Sequence, residues 1–147
     1  MKQCLEIIIE CVLGRKGFMQ AKSVSPEIEQ AFTGLLKLAE ETVNSVTADG
    51  TWQAVACQTT AGNTYVFLMD LDDQAACEEK ILNTFVTQKD TAIAFLVAMW
   101  RERCIDLPSY GLRQKLINLN GSNREALLVL RGENCLAVRT IGSTMPA

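Results

Sequence analysis

Apolar residues recur at spacings of three and four from Ile28 through Phe32, Leu35, Ala39 and Val43 to Val46. That is the period of one helix face. Ser25-Pro26 stands ahead of it, an N-cap residue followed by proline at the first helical position, where a missing N–H costs nothing. Glu27 and Glu29 fall in the first turn, where the helix dipole favours negative charge. The spacing predicts a long helix over about residues 26–47, closed by Asp49-Gly50, with Glu40, Glu41 and Asn44 on its solvent side.

The period then shortens to two. Residues 51–59 and 64–71 read as strands joined by Thr60-Ala61-Gly62-Asn63, a connection of hairpin length with a glycine for positive φ. In the second strand Tyr65, Phe67 and Met69 face one way and Val66 and Leu68 the other, so both faces are apolar. Such a strand lies inside a layered domain rather than on an open sheet. Cys77, Ile81 and Phe85 mark a helix ending near Gln88, capped by Asp72 or Asp73. Residues 91–100 are almost wholly apolar and read as a central strand, with a buried helix as the alternative. Pro108-Ser109 opens a short helix carrying Leu112, Leu116 and Leu119, and Asn120-Gly121 closes it. Residues 126–131 and 135–141 form a last hairpin, and the tail from Gly142 reads as frayed. Residues 1–24 read either as a helix, through Leu5, Ile8, Ile9 and Val12, or as a hairpin around Gly14-Arg15-Lys16-Gly17.

The order after the opening segment is α, β, β, α, β, α, β, β. It predicts a single α+β domain over residues 1–147, with a mostly antiparallel five-stranded sheet and helices packed on it. By analogy of element order, it is similar to the profilin-like and roadblock-like sandwiches. The length of 147 residues suits one domain with one core.

Composition narrows the chemistry more than the fold. The chain holds no histidine, which removes Ser-His-Asp and Cys-His catalysis and His-ligated zinc. The phosphate-loop, dinucleotide-binding and nucleophile-elbow glycine patterns are missing too. No catalytic residue and no cofactor is therefore assigned. The net charge of −3 argues against nucleic acid as a partner. It divides into +2 over residues 1–25, −8 over 26–100 and +3 over 101–147. No apolar run is long enough to span a membrane. Cys4, Cys11, Cys57, Cys77, Cys104 and Cys135 are scattered singly, and Glu6 and Glu10 interrupt the opening apolar stretch. This pattern predicts reduced, buried thiols, no signal peptide and a cytoplasmic setting.

Two clusters could carry chemistry. Asp70, Asp72 and Asp73 could offer oxygen ligands to a divalent cation, but Ala75 and Ile81 stand where a calcium loop needs glycine and glutamate, so a capped strand-to-helix connection is the reading preferred. Arg101, Arg103, Ser109, Tyr110 and Arg113, with Lys115 beyond, combine guanidinium groups, a phenol and a helix start, the makings of an anion receptor. The expected function is a non-enzymatic interaction or regulatory module that forms a homodimer through residues 3–13 and meets another protein. The alternative is a sensor or enzyme binding a small anion in the Arg101–Lys115 region.

Overall fold

The computed structural model describes residues 25–101, 104–131 and 136–146. Helix α1 runs from Pro26 to Asn44, with Ser25 Oγ accepting from the Ile28 amide at 3.3 Å. Strands β1 (Trp52–Thr59) and β2 (Thr64–Asp70) form the expected hairpin. Gly62, at φ 93°, supplies the left-handed residue of its turn. Helix α2 (Gln74–Thr87), β3 (Ile93–Trp100), the two-residue β4 (Ile105–Asp106), α3 (Tyr110–Leu119), β5 (Leu127–Arg131) and β6 (Leu136–Thr140) follow. Residues 91–100 thus contain a strand and not a buried helix.

The sheet is six-stranded, in the order β2-β1-β3-β5-β6 with β4 beside β3. It is mixed, which corrects the expectation of a mostly antiparallel five-stranded sheet. β3 and β5 run parallel, Phe95 opposite Leu127 and Leu96 opposite Leu128. The physical reason is α3: a helix between two neighbouring strands returns the chain to the end where it began, so the second strand repeats the first one's direction.

Two cores result. On one face α1 lays Phe32, Leu35, Leu36, Ala39 and Val43 over Ala54, Ala56, Val97, Met99 and Val129. On the other, Ile81 and Phe85 of α2 and Leu112, Leu116 and Ile117 of α3 cover Val55, Cys57, Met69, Leu96, Ala98 and Leu128. Neighbouring residues of β3 therefore serve opposite layers. The connections β2–α2–β3 and β3–α3–β5 step across the sheet in the same sense. A fixed crossover hand then places α2 and α3 on one face, with their N-termini at the same end.

Glu40 corrects the helix reading. It is fully buried, because α1 buries an arc wider than its apolar stripe. The tail is corrected as well. Gly142–Thr144 is a 3-10 turn in which Thr144 accepts from Arg113 Nη1 at 2.8 Å through Oγ1 and 3.1 Å through its carbonyl. Among the described residues the large exposed apolar side chains are Val86 and Tyr110. A dimer surface on residues 3–13, like the choice between helix and hairpin for residues 1–24, lies outside the described residues.

Candidate functional site

The best-organised polar cluster sits where α2 and α3 begin. Glu78, one turn into α2, is 4% exposed. Its Oε2 accepts from Gln74 Nε2 at 2.9 Å and from Ser109 Oγ at 2.6 Å, and its Oε1 accepts from Lys115 Nζ at 3.1 Å. Lys115 also pairs with Glu79 at 3.2 Å. Ser109 is the N-cap of α3, and its Oγ accepts from the Leu112 amide at 3.1 Å. One hydroxyl thus caps its own helix and bonds the neighbouring one. Burial pushes the Glu78 carboxyl up, but the donors Ser109, Gln74 and Lys115 outweigh it and hold the group below its ordinary range. The hydrogen bonds to Glu78 and then Glu79 raise Lys115.

Gly111 explains how the helices come so close. A Cβ there would stand 2.9 Å from both carboxylate oxygens of Glu78, nearer than real Cβ contacts come. Glycine is an unfavourable choice in a helix, and the approach of this carboxylate accounts for it.

The sequence-derived candidates divide around this cluster. Ser109 belongs to it. Tyr110 lies beside it, 52% exposed, with the Arg113 guanidinium 5.8 Å from its ring centre. Arg113 itself is 8% exposed and donates Nε to the Pro108 carbonyl at 2.9 Å, besides its bonds to Thr144. Arg101 donates Nη2 to the Ala48 carbonyl at 2.6 Å, across the sheet end. Arg103 lies outside the described residues. Arg101 and Arg113 thus donate to backbone carbonyls at separate places and do not gather around one point. Asp70 Oδ1 accepts from the Asp72 amide at 3.0 Å and caps the 3-10 turn Leu71–Asp73 that leads into α2, while Asp72 and Asp73 are exposed. Among the described residues no three His, Cys, Asp or Glu side chains converge as a metal site would require.

A second buried carboxylate fixes the hairpin. Asp90 Oδ2 accepts from Thr59 Oγ1 and Asn63 Nδ2, each at 2.8 Å, and from the Tyr65 hydroxyl at 3.1 Å. The Asn63 bond first, and then those of Thr59 and Tyr65, hold Asp90 below its ordinary range against the pull of burial. Burial, and then the charge of Asp90, push the Cys57 thiol up to about 12, so it is an inert core residue. Cys57, Cys77 and Cys104 are all free thiols; Cys57 is buried and the other two are half-buried. Because Glu78 and Asp90 are both lowered in the folded state, their stabilisation is fully present above the ordinary carboxylate pKa. It is lost as pH falls through their folded values. The melting temperature should therefore hold from neutral pH down to about 4 and drop below it, which thermal melts across that range check.

Elsewhere, an open depression of about 310 Å³ on the α1 face is lined by Glu27, Gln30, Ala31, Gln58 and Phe95. No helix of the described residues is long and apolar enough to cross a membrane.

No family model matches the chain, and no curated protein does. Solved structures do. Cytidine deaminase from Mycobacterium leprae is 14% identical, over 79% of this chain and 98% of that one, with a TM-score of 0.62. This chain has the cytidine deaminase fold. The Mycobacterium tuberculosis cytidine deaminase superposes with a TM-score of 0.58 at 14% identity, over 78% of this chain and 94% of its own. That of Bacillus anthracis gives 0.55 at 12% identity, over 80% and 86%. This likeness to enzymes overturns the expectation of a non-enzymatic interaction module. It lends nothing to the profilin-like and roadblock-like analogy, which rested on element order alone.

The fold also gives the Glu78 cluster a context. Zinc-dependent deaminases carry H-x-E followed by P-C-x-x-C; the histidine and cysteines hold the metal and the glutamate moves protons. In this chain Ala76-Cys77-Glu78 and Pro108-Ser109-Tyr110-Gly111-Leu112 meet through the Ser109–Glu78 bond. The glutamate and the proline match the signature. Where the signature has its histidine and cysteines, this sequence has Ala76, Ser109 and Leu112. A methyl group and a leucine side chain offer zinc no donor, and the serine hydroxyl is already shared between Glu78 and the Leu112 amide. These residues do not fit the metal.

Proposed function

We propose that the chain acts on a small ligand of the pyrimidine-nucleoside class, on a cytidine deaminase scaffold, without a zinc-bound water. The observation that carries the reading is the meeting of Glu78 with Ser109, which joins the two segments that correspond to the deaminase signature. The ligand class is supported by the fold's neighbours, which are cytidine deaminases by name. It is also supported by the chemistry at the junction. The ammonium of Lys115, partly exposed, can donate to the edge of a heterocycle, and the exposed ring of Tyr110 offers a face on which a base can stack. Tyr110 and Lys115 make the ligand contacts in this proposal; Ser109 holds Glu78 in place, and Arg101 and Arg113 shape the surrounding backbone. The homodimer and the cytoplasmic setting belong to the same proposal, supported by the apolar segment 3–13 and by singly scattered cysteines.

Thermal melts with cytidine, deoxycytidine, uridine and cytosine, each with chelator and with added zinc, test it. The expected result is a rise in melting temperature with at least one nucleoside in chelator, since ligand that binds the folded state alone stabilises by mass action. Silence across the panel would overturn the ligand class. Loss of cytidine absorbance that requires zinc would overturn the metal-free part.

A further inference from the structure

We infer that Glu78, at the position where the deaminase signature has its proton-moving glutamate, serves in this chain as a metal-independent latch that fastens α2 to α3. It holds whatever ligand the chain takes. A glutamate that moves protons needs an oxygen lone pair facing the reacting atoms and a pKa near the working pH. Glu78 has neither. Three donors from two helices share its oxygens, its side chain is 5% exposed, and those donors keep it ionised. The α3 backbone at Gly111 lies close against it, with room for a hydrogen but not for a Cβ, which would stand 2.9 Å from both of its oxygens. Ser109 Oγ points its proton at Glu78 and receives the Leu112 amide, so it has no proton left for a ligand in this arrangement. Leu112, at the second cysteine position of the signature, is fully buried in the core with Leu116 and Leu128. Where the signature places a metal centre, this chain has hydrogen bonds on one side and hydrophobic packing on the other.

A latch and a catalytic remnant respond differently to substitution. Gly111→Ala improves helix propensity, but it drives a methyl group against a carboxylate that three donors hold in place. In the full-length chain it should lower the melting temperature by about 3–6 °C. In a Glu78→Ala background the obstacle is gone, and the same change should be neutral or raise the melting temperature by about 2 °C. Zinc content by plasma mass spectrometry should stay far below one ion per chain after incubation with zinc and dialysis, and chelator should leave the melting temperature unchanged. Equal shifts from Gly111→Ala in both backgrounds, or one zinc per chain retained through dialysis, would overturn the inference. The zinc measurement needs only the natural sequence, so it decides even if a variant does not fold. The nucleoside panel is separate: a latch with no nucleoside binding, or nucleoside binding at a zinc-loaded junction, would divide the two readings.

Discussion

Phe32→Ala should lower the unfolding free energy by about 3–5 kcal/mol. Phe32 is 0% exposed at the centre of the α1 layer, packed with Leu36, Ala54, Val97 and Met99. Its ring meets Phe95 edge-on, with centroids 5.4 Å apart and planes at 74°. Truncation removes both the buried area and that edge-to-face contact and leaves a cavity in the α1 layer. The control is Glu41→Ala on the exposed side of the same helix, which should change stability by less than about 0.5 kcal/mol. Glu40 cannot serve, because it is buried. Urea denaturation of the two variants checks the pair; equal losses would mean that α1 does not cover the sheet as described.

Asn123→Ala should cost about 3 kcal/mol, although the residue lies in a short 3-10 turn between α3 and β5. Asn123 is 0% exposed. Its Oδ1 accepts from the Ile93 amide at 2.8 Å, and its Nδ2 donates to the carbonyls of Thr91 at 3.0 Å and Leu116 at 2.8 Å. One amide therefore bonds three backbone groups, at the entry to β3, the end of α3 and the connection before β3. Alanine removes all three bonds and strips the buried Ile93 amide of its Asn123 acceptor, while the Leu116 carbonyl keeps the Asn120 amide. Asn123→Asp at neutral pH should be at least as damaging, since it keeps the acceptor for Ile93 but turns a negative oxygen toward two carbonyls. Thermal melts of both variants decide the matter. An aspartate variant clearly more stable than the alanine one would mean that the donor half of the amide contributes nothing.

The elements that a local signal announces were legible in the sequence. Ser25-Pro26 set the start of α1, and the hairpin of β1 and β2 and the cap at Ser109 sit where turn and cap chemistry placed them. What depends on distant partners was not. Arg113 reads as a surface cation until the Pro108 and Thr144 carbonyls are brought around it. The parallel pairing of β3 with β5 is set by the α3 crossover, not by either strand's own pattern. Glu78 was missed altogether. A single glutamate in a charged helix turn looks like a solvated face, and nothing beside it in the sequence marks Ser109 and Lys115, which the fold brings to it. Gly111 in a first helical turn was the one available hint, because a helix accepts glycine there only at a cost.

The parallel junction has a mechanical consequence. β3 and β5 share two register pairs, whereas β1 shares seven with each of β2 and β3. The sheet therefore has a seam. On one side lies a broad, closely ladder-bonded slab; on the other, a hairpin of β5 and β6 held on by two rungs, by β4, and by side chains of α3 and the turn around Asn123. Closing that seam joins strands separated in the chain by β4, α3 and the turn around Asn123, a non-local pairing whose loop-closure entropy only two rungs offset directly. The hairpin is then the piece that can part from the slab without dissolving it. Hydrogen exchange should therefore be faster at the backbone amides of β5 and β6 than at those of β1, even though Leu128, Val129 and Leu136 anchor the hairpin in both cores.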